Sequence, residues 1–171
     1  MEVVTYRPVE EYVPPQTVDI VLPDVTESVL KGQGRRLKAG HLADANPRGA
    51  KFPVNGVVDG PWFRPMVSLV VTNEQVQPPV SKHVVFVIDS TMPLTFLSSA
   101  TFEAFFEVNP ELKSTEANIH GTRTTVYRVP SESQFQGANV LGTQFFRDAH
   151  LTIMTDFSLL TVKLEARTRG T

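Results

Sequence analysis

The chain contains no cysteine, so neither a disulfide framework nor a thiolate metal site or thiol nucleophile is available to it. It has a single tryptophan among its 171 residues, and no apolar run long enough to cross a bilayer. The formal charge is only -2, which argues against a general nucleic-acid binder. The opening residues Met1 to Pro8 lack a secretory apolar region and an Arg-rich presequence. These absences lead us to expect a soluble intracellular, cytoplasmic protein with neither membrane nor nucleic acid as partner. The four histidines, His41, His83, His120 and His150, stand apart from one another and from clustered acids. No metal and no cofactor is therefore expected. A Gly-x-Ser-x-Gly elbow is also missing.

What is present is unevenly spread. Eight of the 13 prolines fall at positions 8, 14, 15, 23, 47, 53, 61 and 65, where they favour extended backbone over hydrogen-bonded ladders. Residues 1–60 are therefore read as an extended Pro-rich arm, residues 61–166 as one folded domain, and residues 167–171 as a polar tail. The arm is acidic first, with Glu2, Glu10, Glu11, Asp19, Asp24 and Glu27 against Arg7. It is then basic, with Lys31, Arg35, Arg36, Lys38, Arg48 and Lys51 against Asp44. The Gly- and Ala-rich basic stretch has no strong apolar period, which predicts a loop or a segment ordered by contact with something else. Arg35, Arg36 and Lys38 are its candidates for touching an anion or a partner. It contains neither stacking aromatics nor the Gly-Lys-Ser/Thr ending of a phosphate loop.

From residue 62 the pattern turns to β. Met66 to Thr72 reads as a strand, Pro78-Pro79 as a turn, and Val84-Val85-Phe86-Val87-Ile88 as a strand buried on both faces. That strand ends on Asp89, followed by Ser90 and Thr91. A carboxylate at the mouth of a buried strand is expensive unless it is hydrogen-bonded, paired or used. The plain alternative is an Asx-type bend. Ser98 or Ser99 can cap a short helix carrying Phe102, Phe105 and Phe106, which Asn109-Pro110 stops. His120-Gly121 suits a tight hairpin between Asn118-Ile119 and a strand from Thr122 to Val129. A last hairpin joins Leu151 to Thr155 with Leu160 to Leu164 through Asp156-Phe157-Ser158.

Two separated segments, Asp89-Ser90-Thr91 with Pro93-Leu94-Thr95-Phe96-Leu97-Ser98, and Asn139-Val140-Leu141-Gly142 with Phe145-Phe146, follow each other in an order that resembles the retropepsin-like aspartic proteases. The resemblance spans roughly residues 65 to 165. It implies a mainly β, closed retropepsin-like barrel with one or two short helices, and Asp89 as the catalytic acid, one from each subunit of a homodimer. Two such carboxylates would share a proton, one acting as base on a water and the other polarising the scissile carbonyl. It also implies that Ser90 braces the interface, that Ile119-His120-Gly121-Thr122 form a flap over substrate, and that Asn139 to Gly142 are the second structural motif. The chain departs from the family at Thr91, which stands where the family carries glycine. Two functions are thus expected. One is a degenerate member serving as a structural or protein-interaction subunit of a larger assembly, with weak or no peptidase activity. The alternative is an active homodimeric endopeptidase that cuts extended peptides.

Overall fold

The computed structural model describes residues 22–106, 109 and 111–167. The arm residues before Leu22 and the end of the polar tail lie outside them. The strand-rich reading holds. The described residues are mainly β, with nine strands and a few short helices among them, and six of these strands close a barrel.

Why the centre of the sequence becomes sheet is plain from its composition. β2 (Arg64–Asn73) and β3 (Val80–Ile88) are dense in β-branched residues and pair antiparallel from Met66–Val87 to Asn73–Val80. The turn containing Pro78 and Pro79 separates them. β3 is buried on both faces, as its unbroken apolar run requires. Val84, Phe86 and Ile88 enter one hydrophobic cluster, whereas Val85 and Val87 enter another. Each such side chain contributes about 1.5–3 kcal/mol by leaving water.

The ring closes through short elements. β3 runs parallel to β7 (Val140–Leu141), which pairs antiparallel with β4 (Thr95–Leu97). β4 in turn runs parallel to β6 (Thr122–Arg128), β6 forms a hairpin with β5 (Ser114–Ile119), and β5 returns to β2 at Val71 and Thr72. Outside the ring, β1 (Val54–Asp59) pairs with β2 and with β9 (Thr161–Ala166), and β8 (Leu151–Asp156) is the outer edge. Gly56 sits where β1 crosses this sheet. A Cβ there would lie 2.2 Å from the Met66 carbonyl oxygen, so only glycine fits.

Residues 22–60 differ from the expected extended arm. They carry α1 (Glu27–Gly32), α2 (Gly34–Leu37), a 3-10 turn at Pro47–Gly49 and β1. The basic stretch is ordered by contact with its own barrel: the Leu42 and Ala45 amides donate to the His83 and Ser81 carbonyls at 2.7 and 3.0 Å, and Leu37 packs against the core. The segment before it is anchored as well. Leu22, Val25 and Leu30 are buried in the cluster that also holds Met92, Phe96 and Phe135. Gly137 lets this segment approach closely, since a Cβ at that position would stand 3.1 Å from Thr26 Cα. Thr26 caps α1 by accepting from the Val29 amide. Residues 27–32 and 34–37 escape periodicity because each helix is too short to present a full apolar stripe.

α3 (Ser99–Phe105) begins where expected, with the Ser98 hydroxyl accepting from the Thr101 amide at 3.2 Å. Its phenylalanines are core, Phe102 being fully buried with its ring tilted against that of Phe106, 4.9 Å between centroids. α4 (Thr143–Asp148) buries Phe145 and Phe146.

Candidate functional site

β3 delivers Asp89 to one end of the barrel, and β7 lies directly beside it. The Asp89 amide donates to the Leu141 carbonyl at 3.2 Å, and the Val87 amide donates to the Asn139 carbonyl at 2.8 Å. The two sequence motifs are thus neighbours in space, paired as Val87–Val140 and Ile88–Leu141. Past Asp89 the chain turns at once, the Met92 amide donating back to the Asp89 carbonyl at 3.3 Å.

The turn and the second motif are locked together by α4. The Met92 carbonyl accepts from the Thr143 amide at 2.8 Å, and the Pro93 carbonyl accepts from the Gln144 amide at 3.0 Å. These are the first amides of α4, which have no partner inside their own helix. The Gly142 amide donates to the Thr95 hydroxyl at 3.2 Å. Asn139, fully buried, completes the lock: its Oδ1 accepts from the Ser98 amide at 2.9 Å and its Nδ2 donates to the Val85 carbonyl at 3.1 Å.

The acid itself is half-buried, while Ser90 and Thr91 are exposed. Asp89 Oδ1 accepts two hydrogen bonds from the same residue, from the Thr91 amide at 2.8 Å and from the Thr91 hydroxyl at 2.6 Å. The bend is therefore an Asx turn strengthened by a hydroxyl. Among the described residues no group of three His, Asp or Glu side chains is placed to hold a metal ion.

The hairpin residues Ile119, His120, Gly121 and Thr122 are not brought over Asp89. The turn chemistry is as expected, with positive φ at His120 and Gly121. Its tip, however, is fastened to the far part of β2. The His120 amide donates to the Val70 carbonyl at 2.6 Å, its Nδ1 accepts from the Val70 amide at 3.3 Å, and its ring lies 4.8 Å from Phe52. Val70 is paired with His83, and from His83 to Asp89 the strand runs about 20 Å at ~3.3 Å per residue. The tip is an anchored structural turn.

Of the basic candidates, Arg36 is committed internally. Its guanidinium pairs with Asp59, which also accepts from the Gln33 amide group at 2.7 Å. Arg35 and Lys38 are exposed. Nearby, Arg64 grips Asp24 through two hydrogen bonds, at 3.2 and 3.0 Å, and these hold the Asp24 carboxyl below its usual range.

Two features gave no signal in sequence. The first is a pair of histidines that satisfy strand amides. His41, buried, accepts from the Val85 amide on Nδ1 at 3.2 Å, so its Nε2 carries the proton towards Glu27 and Thr101, each 3.5 Å away. Burial pushes the pKa of His41 down, with Glu27 partly opposing it, and burial likewise lowers that of His120. Both groups are therefore protonated more readily in the unfolded chain. Their contribution to stability is complete above the ordinary histidine value and is lost as pH falls below it. Urea unfolding should show stability falling below about pH 6.5, by at most ~1.4 kcal/mol per histidine per pH unit. In His41→Gln the part of this slope due to His41 should vanish; an unchanged slope would remove His41 from the account.

The second is an apolar patch at the same end of the sheet as Asp89. The β1–β2 turn exposes Trp62 and Phe63, and the β8–β9 turn exposes Phe157, Leu159 and Leu160. The Phe63 and Phe157 rings meet edge-on at 6.4 Å, and the Val58 amide donates to the Leu160 carbonyl at 2.9 Å. Phe63 and Leu160 both have positive φ, 51° and 53°, a conformation costing a bulky residue about 1–2 kcal/mol. Compared with models of protein families, with curated proteins and with solved structures, the chain matches none.

Proposed function

We propose that the chain is a retropepsin-like domain whose acid turn is closed on itself, and that it works as a structural or protein-interaction subunit with weak or no peptidase activity. The observation that carries this is the double hydrogen bond from Thr91 to one oxygen of Asp89. A proton-sharing carboxylate pair needs its oxygens open to a common water and to the opposite acid. Here the Thr91 hydroxyl occupies a position on Oδ1 that such a water would use. Its exposed side chain also stands at the surface that a second Asp89 would have to approach. The interlock of β3, β7 and α4 supports the retropepsin-like reading of the scaffold.

One observation favours the peptidase alternative. Asp89 is half-exposed on a rigidly braced turn, as a group meant to meet a symmetry-related copy would be. A peptide library incubated across acidic and neutral pH with the wild type, Asp89→Asn and Thr91→Gly discriminates the two. The expected result is no cleavage that distinguishes the wild type from Asp89→Asn. Cleavage by the wild type that disappears in Asp89→Asn would overturn the interaction reading and establish the paired-acid endopeptidase. Cleavage gained only in Thr91→Gly would identify the threonine as the element that silences the acid.

A further inference from the structure

The side of β3 that faces away from β2 is covered in pieces. At its end the Val87 amide and the Val85 carbonyl are taken by Asn139. At its start residues 42–45 run alongside, the Leu42 and Ala45 amides reaching the His83 and Ser81 carbonyls while the His83 amide donates to the Ala43 carbonyl at 2.8 Å. Between the two pieces lies the Val85 amide, and it is the His41 ring that satisfies it, Nδ1 accepting at 3.2 Å. A group that stops accepting once protonated therefore fills the gap that a strand carbonyl would otherwise fill.

We propose that His41 is an acid-sensitive latch: when its ring takes up a second proton, the strap formed by residues 22–45 lifts from the barrel while the ring of strands stays closed. An imidazolium carries N–H on both nitrogens, so Nδ1 and the Val85 amide would meet as two donors. The ring is also buried, and a charge there is removed from water. The charged groups that face it both belong to α1: Glu27, whose Oε1 lies 3.5 Å from Nε2 and favours the charged ring, and Lys31, which opposes it. β3 and α3 present the neutral Val85 amide and Thr101 hydroxyl. Glu27 Oε2 is buried with no hydrogen-bond partner among the described residues, so lifting the strap also returns that oxygen to water.

The strap can move as a unit because it precedes β1 and gives no strand to the closed ring. Behind it the chain is held at Lys51 and Phe52, where the Lys51 carbonyl meets His120 Nε2 at 3.1 Å and Phe52 packs on the same ring. Leu42, next to the latch, sits at φ 62°, a left-handed conformation that a leucine gives up readily. The ion pairs Asp24–Arg64 and Asp44–Lys82 also fasten the strap. Hydrogen bonds from their bases hold both carboxyls below the usual range, so these pairs persist in mild acid and His41 is the fastening that fails first. The lifted strap binds its proton at the ordinary histidine value, about 6.5, whereas in the closed form burial outweighs Glu27 and holds the ring below it. Opening is a local excursion that should grow more frequent as pH falls through that value, by up to about tenfold per pH unit. It bares the start of the β3 edge and the apolar flank of Met92 and Phe96, a place where a foreign strand can add. None of this depends on how the acid turn is read.

The chain has no cysteine, so a single introduced thiol reports opening without background. Val25→Cys places one beneath the strap, and Val126→Cys places one in the barrel core, both at buried positions. Each rate of reaction with a pyridyl disulfide, divided by that of an unstructured cysteine peptide at the same pH, measures how often the site opens. In Val25→Cys the ratio should climb by up to about tenfold per pH unit between pH 6.5 and 5. In Val126→Cys it should stay at least tenfold lower throughout. Adding His41→Gln to Val25→Cys should abolish the climb, because the glutamine oxygen can accept from the Val85 amide at every pH. Should that variant fail to fold by circular dichroism, Glu27→Gln takes its place: without the carboxylate that favours the charged ring, the climb should continue to lower pH. A ratio in Val25→Cys that ignores pH, or a profile unmoved by Glu27→Gln, would overturn the proposal. So would equal ratios at the two thiols, which would mean that only global unfolding exposes them. A climb that survives His41→Gln would assign the acid sensitivity to another group, such as His120, and would overturn it as well.

Discussion

Gly142→Ala should leave the barrel without a cooperative unfolding transition, or with one at a far lower urea midpoint. A Cβ at this position would lie 2.2 Å from the Leu94 carbonyl oxygen, 2.5 Å from its carbon and 2.9 Å from its nitrogen. All three are backbone atoms, in the stretch between the Asp89 turn and β4, so no side chain can swing away to make room. The Gly142 backbone itself is ordinary extended chain, at φ -90°, which means the cost is steric and not conformational. Relief requires β7 or the Leu94 segment to move, breaking the Gly142–Thr95 hydrogen bond and the two bonds that seat α4. Overpacking against fixed atoms of this kind should cost about 3 kcal/mol or more, a large share of the ~5–15 kcal/mol a domain commands. Gly121→Ala is the control. It has positive φ but nothing within 4 Å, so it should lose only the ~1–2 kcal/mol of left-handed backbone. Equal losses at the two glycines would show that the Leu94 contact is not the constraint it is argued to be.

Asn139→Ala should have the second-largest effect, and for a different reason. The side chain satisfies a donor on one side, the Ser98 amide, and an acceptor on the other, the Val85 carbonyl. The site is fully buried, so water cannot replace it without entering the core. Each orphaned group costs about 1–3 kcal/mol, which places the whole loss at roughly 2–6 kcal/mol. Asn139→Leu should not rescue it despite the added apolar volume, since the two backbone groups stay unpaired. Full stability in Asn139→Leu, measured by urea unfolding at neutral pH, would mean that the packing and not the hydrogen bonds matters there.

How much of this was legible in the residues depends on where the controlling interactions lie. The β3 run, the Ser98 cap of α3 and the last hairpin were readable because strand composition, cap chemistry and period-two alternation act within a few residues. The adjacency of Asp89 to Leu141 rests on the long-range pairing of β3 with β7, which nothing local in either motif announces. Residues 31–51 read as a loop and residues 27–30 as part of an extended arm, for each helix there is a single short run whose order comes from Leu30 and from the close approach at Gly137. The hairpin turn at His120-Gly121 was recognisable as a turn. Which end of the barrel its tip reaches is decided by the β2–β5 register, a long-range fact that turn residues do not encode. His41 was similarly silent: a lone histidine acquires its role from the Val85 amide opposite it. The patch escaped notice since Asp156 and Ser158 mark a turn whatever stands between and after them.

The ring of strands is sealed by β7, only two residues long and placed late in the chain between β3 and β4. During synthesis, β2, β3, β4 and the β5–β6 hairpin all emerge from the ribosome before the piece that joins their two ends. Until residues 139–141 arrive, one flank each of β3 and β4 has unpaired backbone, and such flanks recruit foreign strands. A vectorially made copy of this protein must therefore wait with an open seam, which makes nascent-chain protection a greater need here than for a barrel that closes on its first hairpins.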